Sequence, residues 1–122
     1  MLEERLIEFG AAVCQTMRKV PRDPAGLHFS GQLIRSATSP AANYSEARGA
    51  ESKRDFVHKL QVGLKELRET NMWLRLLDKL YSEALDLAPL RSECNELLAI
   101  FVASITTAKR TRRNQTPKLP DQ

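Results

Sequence analysis

The sequence contains one spacing at which a helix could bind a metal ion. Asp55 and His58 are three residues apart, so a helix would place a carboxylate and an imidazole on adjacent turns. Bundles that hold metal ions in this way need the same pair on a second helix, and His28 has no acidic residue at the matching spacing. We therefore expect no metal site and no cofactor, and we expect Asp55 and His58 to be solvated.

No group of residues in the sequence has the pattern of a catalytic site. The cysteines Cys14 and Cys94 lie in separate apolar stripes without a neighbouring base, which is typical of buried thiols and not of nucleophiles. The five glycines form neither a GxGxxG motif nor a phosphate-binding loop, and there is no HExxH motif. The sequence thus predicts no catalytic residue and no enzymatic activity.

The excess positive charge of the chain lies at its C-terminal end. Residues 109–122 carry five basic residues and one acidic residue, which equals the whole net charge of +4. The segment has two prolines and no apolar periodicity, so we expect one domain at 1–108 and a partly disordered tail at 109–122. The tail is either a solubilising end or a contact for an anionic partner. Its candidate nucleic-acid-binding residues are Lys109, Arg110, Arg112 and Arg113.

Apolar residues recur three and four positions apart along the body of the chain, which predicts helices and no strand. Pro21 ends the first helix, Asp23 caps the second and Ser52 caps the third. The predicted helices are 2–20, 24–48, Ser52 to about Leu80, and Pro89 onward. Four amphipathic helices joined by short links predict an all-α, up-down-up-down antiparallel four-helix bundle.

The third helix carries a line of basic residues on one side, which we call the basic ridge. At ~1.5 Å per residue it extends for roughly 37 Å and contains no acidic residue. It also lacks aromatic residues on which bases could stack, so any nucleic-acid binding should be mostly electrostatic. The alternative is an ordinary solvated face. The ridge consists of Arg54, Lys65, Arg68, Arg75 and Lys79.

An apolar stripe on the same helix, opposite the predicted core, favours self-association. Its members are Val62, Trp73, Leu76 and Leu80. A monomeric bundle would be polar there, so we expect this stripe to be covered by another subunit. Asp78 is a misfit in the same projection, because it falls on the core face.

The second helix contains the stretch QLIRSATSPAANYSEARG, in which small residues alternate with larger ones and Pro40 lies in the middle. The small residues predict close helix packing on the face of Ala37 and Ala47. The polar pattern of this stretch, together with Asp55-Phe56, Lys59-Leu60 and Gly63, resembles the four-helix bundle proteins encoded in bacterial 23S rRNA intervening sequences. The motif residues that carry the resemblance are Gln32, Arg35, Ser39, Asn43 and Glu46.

The resemblance implies a short bundle that assembles into a ring, with a homopentamer as the expected form, and it implies no enzymatic activity. Relatives of this type include the accessory protein of diversity-generating retroelements, which engages nucleic acid and a reverse transcriptase. We therefore expect a non-enzymatic oligomer that binds RNA or DNA, in the cytoplasm and away from membranes. The alternatives are a protein–protein adaptor and, last, a metal-dependent enzyme.

Overall fold

The computed structural model describes residues 1–115, and for residues 111–115 it describes the helical backbone only. This part of the chain consists of four helices and no strand, so the predicted all-α class is confirmed. The helices are α1 (Leu2–Met17), α2 (Pro24–Arg48), α3 (Lys53–Tyr81) and α4 (Ala88–Gln115).

The ends of the helices follow from local side-chain chemistry. The Asp23 carboxylate accepts a hydrogen bond from the Gly26 N–H at 2.7 Å, and Pro24 occupies the first helical position of α2. The Ser52 hydroxyl caps α3 in the same way, 3.0 Å from the Asp55 nitrogen. These caps satisfy N–H groups that have no partner inside a helix, which is why the sequence predicts both starts correctly.

Helix α1 is shorter than predicted, and α4 extends beyond the predicted domain boundary at residue 108. Helix α1 ends at Met17, and a tight turn follows in which the Val20 N–H bonds to the Met17 carbonyl at 3.2 Å. The turn returns Val20 to the core before Pro21 ends the segment. Helix α4 continues through Gln115, well into the segment predicted to be a tail, and residues 116–122 lie outside the described residues.

The core is a continuous cluster to which all four helices contribute. Helix α3 packs most extensively, against α2 and α4, whereas α1 and α4 share the smallest interface. On α2, the predicted face is buried at Ala37, Pro40 and Ala47, and the helix runs uninterrupted through Pro40. The largest fully buried apolar side chains are Leu6, Val13, Leu33, Leu60, Leu67, Leu74, Leu77, Leu87, Leu97 and Phe101.

Contacts near the helix ends fix which ends are neighbours. Arg48 at the end of α2 forms an ion pair with Glu3 at the start of α1, with N and O 3.1 Å apart. The hydroxyl of Tyr81 at the end of α3 donates to the Asp23 carboxylate before α2, at 2.9 Å. The end of α2 therefore lies beside the start of α1, and the end of α3 lies beside the start of α2.

Candidate nucleic-acid interface

The basic ridge lies on the solvent-facing side of α3. All five of its cations are exposed, and His58, Gln61 and Met72 continue the same exposed line between them. Helix α3 can carry so long a line because 29 residues without proline run from the Ser52 cap to Tyr81.

The ridge cations are not neutralised by the acidic residues Glu66, Glu69 and Asp78 of the same helix, because these are bonded elsewhere. None of the five ridge residues forms an ion pair with another residue of the described chain. Glu66 and Glu69 on the α2 side of α3 both bind Arg35, and Asp78 on the α4 side binds Arg91 at 3.1 Å. The neighbouring helices thus neutralise Glu66, Glu69 and Asp78, and the ridge beside them stays positive.

Arg35 is the centre of a polar cluster between α2 and α3. Its guanidinium donates to Glu66 Oε1 at 3.0 Å and also to Glu69. Glu69 accepts a second hydrogen bond from the Trp73 indole nitrogen at 2.9 Å. The hydrogen bond from Trp73 makes the largest contribution to lowering the pKa of Glu69, and the hydrogen bond from Arg35 makes the next largest. The hydrogen bond to Glu69 raises the pKa of Arg35. Both groups therefore stay charged near neutral pH.

Of the other motif residues of α2, only Glu46 bonds to α3 in the described chain, and Ser39 and Asn43 bond to each other within α2. Asn43 donates to the Ser39 hydroxyl at 3.1 Å, and Glu46 forms an ion pair with Lys59 at 2.9 Å. Gln32 is partly buried. Two of the five motif residues, Arg35 and Glu46, thus form ion pairs from α2 to α3. The recurrence of polar residues at 32, 35, 39, 43 and 46 is the sequence signal for this polar side of α2.

The predicted apolar stripe needs a correction, because Trp73 does not point away from its own subunit. Its ring packs on Phe29 of α2 with centroids 5.6 Å apart, and it contacts the edge of the core. Val62 and Leu76 are also partly buried, and only Leu80 is strongly exposed, at 50%. The helical projection assumed one buried face, whereas α3 packs between two helices and buries a wider arc. The role of the apolar stripe as an oligomer interface stays a prediction.

The same wide arc accounts for further differences on α3. Val57, Thr70 and Leu77 are also buried on α3. Asp78, which the projection places on the core face, lies at the edge of the α3–α4 interface and reaches Arg91. A charged residue at this position is accommodated because it is partly exposed and paired.

The structure describes the side chains of two of the four predicted tail cations. Lys109 and Arg110 are exposed on α4, immediately after Ala108, the last buried residue described. The backbone is helical at Arg112 and Arg113, whose side chains lie outside the described residues.

A groove lies between the end of α2, the start of α3 and the C-terminal half of α4. Its volume is about 750 Å³, and it is open to solvent. Phe56 is its one aromatic residue, Arg48 and Lys53 supply cations, and Glu51 supplies a carboxylate. The remaining lining residues are small: Ala47, Ala50, Ser52, Ala103, Ser104, Thr107 and Ala108. No single segment of the sequence holds this set, so sequence patterns did not indicate the groove.

The candidate metal and thiol chemistry has little support within the described residues. His58 is exposed, Asp55 is partly exposed, and no three potential metal ligands of residues 1–110 cluster. Cys94 is fully buried, and burial raises the pKa of its thiol to about 12. Such a thiol is protonated near neutral pH and is a poor nucleophile.

Among the described helices, none has a stretch long and apolar enough to cross a bilayer.

The chain is similar to proteins of known sequence family and fold. Residues 3–103 match the family described as 23S rRNA-intervening sequence protein. A crystal structure from Bacteroides thetaiotaomicron, of a protein of unknown function in the S23 ribosomal protein family, superimposes with a TM-score of 0.77. It is 28% identical and covers 86% of this chain and 98% of its own. No curated protein matches the chain. The match spans most of the sequence, and the chain belongs to the 23S rRNA-intervening sequence protein family.

Proposed function

We propose that the protein is a non-enzymatic, oligomeric helical bundle of the cytoplasm that associates with nucleic acid, RNA or DNA. The basic ridge binds phosphates, and the tail residues Lys109, Arg110, Arg112 and Arg113 add to the contact. The observation that carries the proposal is the exposure of all five ridge cations without an ion pair among the described residues.

The arrangement of the ridge favours binding to the nucleic-acid backbone. Successive cations project from one side of a straight element roughly 37 Å long, which is long enough to follow several phosphates. Contacts of this kind fix position and carry no sequence information, so the ridge itself binds different sequences with similar affinity.

Self-association is the second part of the proposal. We expect a ring, with a homopentamer as its form, built from bundles of up-down-up-down order. The end contacts Arg48–Glu3 and Tyr81–Asp23 support that order. Exposed Leu80 beside partly buried Leu76 and Trp73 supports a contact with another subunit. A ring repeats the ridge in every subunit and raises affinity through avidity.

The test is fluorescence anisotropy with a structured RNA and a duplex DNA at two salt concentrations. Wild-type affinity should fall steeply with salt, because each neutralised phosphate releases counterions. The double substitution Lys65→Glu with Arg68→Glu should weaken binding about equally for different sequences and reduce the salt dependence. A matched control is Arg18→Glu with Lys19→Glu, which changes charge equally at exposed positions off α3.

A protein–protein adaptor is the second candidate. The apolar surface formed by Phe29, Trp73, Leu76 and Leu80 favours it, since such a surface could receive a partner protein instead of another copy. Absence of binding to both nucleic acids at low salt by the intact oligomer would contradict the nucleic-acid proposal and favour the adaptor.

A further inference from the structure

We infer that the groove between α2, α3 and α4 binds one unpaired nucleotide of the nucleic acid, an inference that rests on the proposed function. The groove volume of about 750 Å³ lies within the range of roughly 300–1,000 Å³ that is usual for small-molecule sites. A single nucleotide therefore fits it in size. A base that is paired inside a duplex is not free to enter, so the site selects strands with unpaired bases.

Phe56 supplies the aromatic surface that the basic ridge lacks. It lines the groove and is only partly buried, so part of its ring is accessible. Ala47, Ala103 and Ala108 form short apolar walls around it. A nucleobase stacked on an aromatic ring between small residues gains binding energy whatever its identity, because every base has a flat π-face.

The polar residues of the groove suit the rest of a nucleotide. Ser104 and Thr107 line the wall on α4, and a hydroxyl group can both donate and accept hydrogen bonds. Arg48 and Lys53 outnumber Glu51 among the charged lining residues, and Lys53 forms no ion pair within the described chain, whereas Arg48 is paired with Glu3. Lys53 is therefore the lining cation that has no ion pair among the described residues and can meet a phosphate group.

The position of the groove connects it to the ridge. Lys53 lines the groove, and the next residue, Arg54, begins the ridge. On α4, Ala108 lines the groove and exposed Lys109 and Arg110 follow it directly. Phosphates on either side of a nucleotide held in the groove thus meet further cations. The ridge supplies affinity for the backbone, and the groove supplies a preference for unpaired bases.

The experiment compares two fluorescein-labelled RNAs by anisotropy: a blunt duplex, and the same duplex with a short unpaired 3′ overhang. Wild-type protein should bind the overhang RNA about tenfold more tightly, in line with stacking of one base. Phe56→Leu removes the aromatic face but keeps apolar volume, and Ala103→Leu narrows the groove from an exposed position. Both should bring the two affinities together without changing the affinity for the blunt duplex.

The control is Ala99→Leu, which adds the same side chain at an exposed position of α4 that does not line the groove. It should keep the preference. If the wild type binds both RNAs equally while Lys65→Glu with Arg68→Glu still weakens binding, the inference is wrong and the proposed function stands. A preference that survives both groove variants would also overturn it. Absence of binding to either RNA would overturn the inference, and the proposed function would fall with it only if duplex DNA were not bound either.

Discussion

Gly63 of α3 lies against the ring of Phe101 on α4: a Cβ atom on residue 63 would be 2.7 Å from Cε2 of Phe101. The ring cannot move aside easily, because Phe101 is fully buried and packs near Tyr44 with centroids 6.3 Å apart. We therefore expect the overpacking caused by Gly63→Ala to lower the free energy of unfolding by about 1–3 kcal/mol. The better helix propensity of alanine offsets about 1 kcal/mol of this loss. Urea denaturation measures the net loss.

Gly31→Ala is the matched control for this prediction. Gly31 is an exposed residue inside α2, and a Cβ there would meet nothing within 4 Å. The substitution should raise the free energy of unfolding by roughly 0.5–1 kcal/mol, because alanine is the better helix former. Opposite signs at the two glycines are expected, and a stabilising Gly63→Ala would show that the α3–α4 contact is looser than described.

The buried hydrogen bond between Ser36 and Thr70 links α2 to α3 inside the core. Their hydroxyl oxygens are 2.9 Å apart, and both residues are fully buried. Ser36→Ala or Thr70→Val alone should each destabilise the protein by about 1–2 kcal/mol, since each leaves a buried hydroxyl with fewer partners. The double variant should be less destabilised than the sum of the two. Denaturation of all four proteins gives the coupling energy, and additivity would contradict a direct bond.

The Arg35–Glu69–Trp73 contact should make stability depend on pH. The pKa of Glu69 is lower in the folded protein than in the unfolded chain, so its contribution is present above the unfolded pKa of about 4.3 and is lost as pH falls through the folded value. The difference in stability between wild type and Glu69→Gln should therefore shrink below about pH 4. We expect the pH-dependent part of this difference in stability to be at most about 1 kcal/mol, because the carboxylate is partly exposed.

Thermal melts of both proteins between about pH 3 and pH 7 test this. Glu8→Gln, at an exposed position of α1 that forms no ion pair in the described chain, serves as the control. A Glu69→Gln effect that is the same at every pH would mean that glutamine replaces the carboxylate as an acceptor for Trp73 and that the charge contributes nothing.

Local features of this fold could be predicted from the sequence, and relations between helices could not. Asp23 and Ser52 cap the nearest turns of their own helices, so a few neighbouring letters suffice to place both starts. The bond of Arg35 to Glu66 spans 31 positions and depends on the register of α2 against α3. A projection of one helix contains no information on that register.

The same limit explains the candidate site. Exposure of the ridge could be predicted, because charged residues that recur at helical spacing avoid the core. The placement of Trp73 could not be predicted, because it depends on the position of Phe29 in another helix. The groove depends on three segments that meet only in the folded chain, and α4 extends past residue 108 in a segment whose prolines lie further on.

The proposed oligomer interface can be tested at Leu80 without disturbing the bundle. Leu80 and Leu27 are each 50% exposed, but only Leu80 belongs to the predicted apolar stripe. Leu80→Glu should give smaller particles that keep their helical content, because a charge in an interface core typically opposes association by several kcal/mol. Leu27→Glu should leave the size unchanged. Light scattering with circular dichroism decides, and a monomeric wild type at tens of micromolar would contradict the interface.

The contribution of the tail can be separated from that of the ridge by truncation. The buried side chains described on α4 end with Ala108, so a chain that stops at Arg110 keeps the described core. We expect the truncated protein to assemble as wild type does but to bind RNA more weakly. Arg112 and Arg113 are lost with the truncation, and the magnitude of the salt slope should fall by roughly 0.7–0.9 for each phosphate contact removed. Anisotropy at several salt concentrations, alongside full-length Arg112→Gln with Arg113→Gln, measures both effects. Unchanged affinity after truncation would show that residues 111–122 add nothing to binding and would assign it to the ridge together with Lys109 and Arg110.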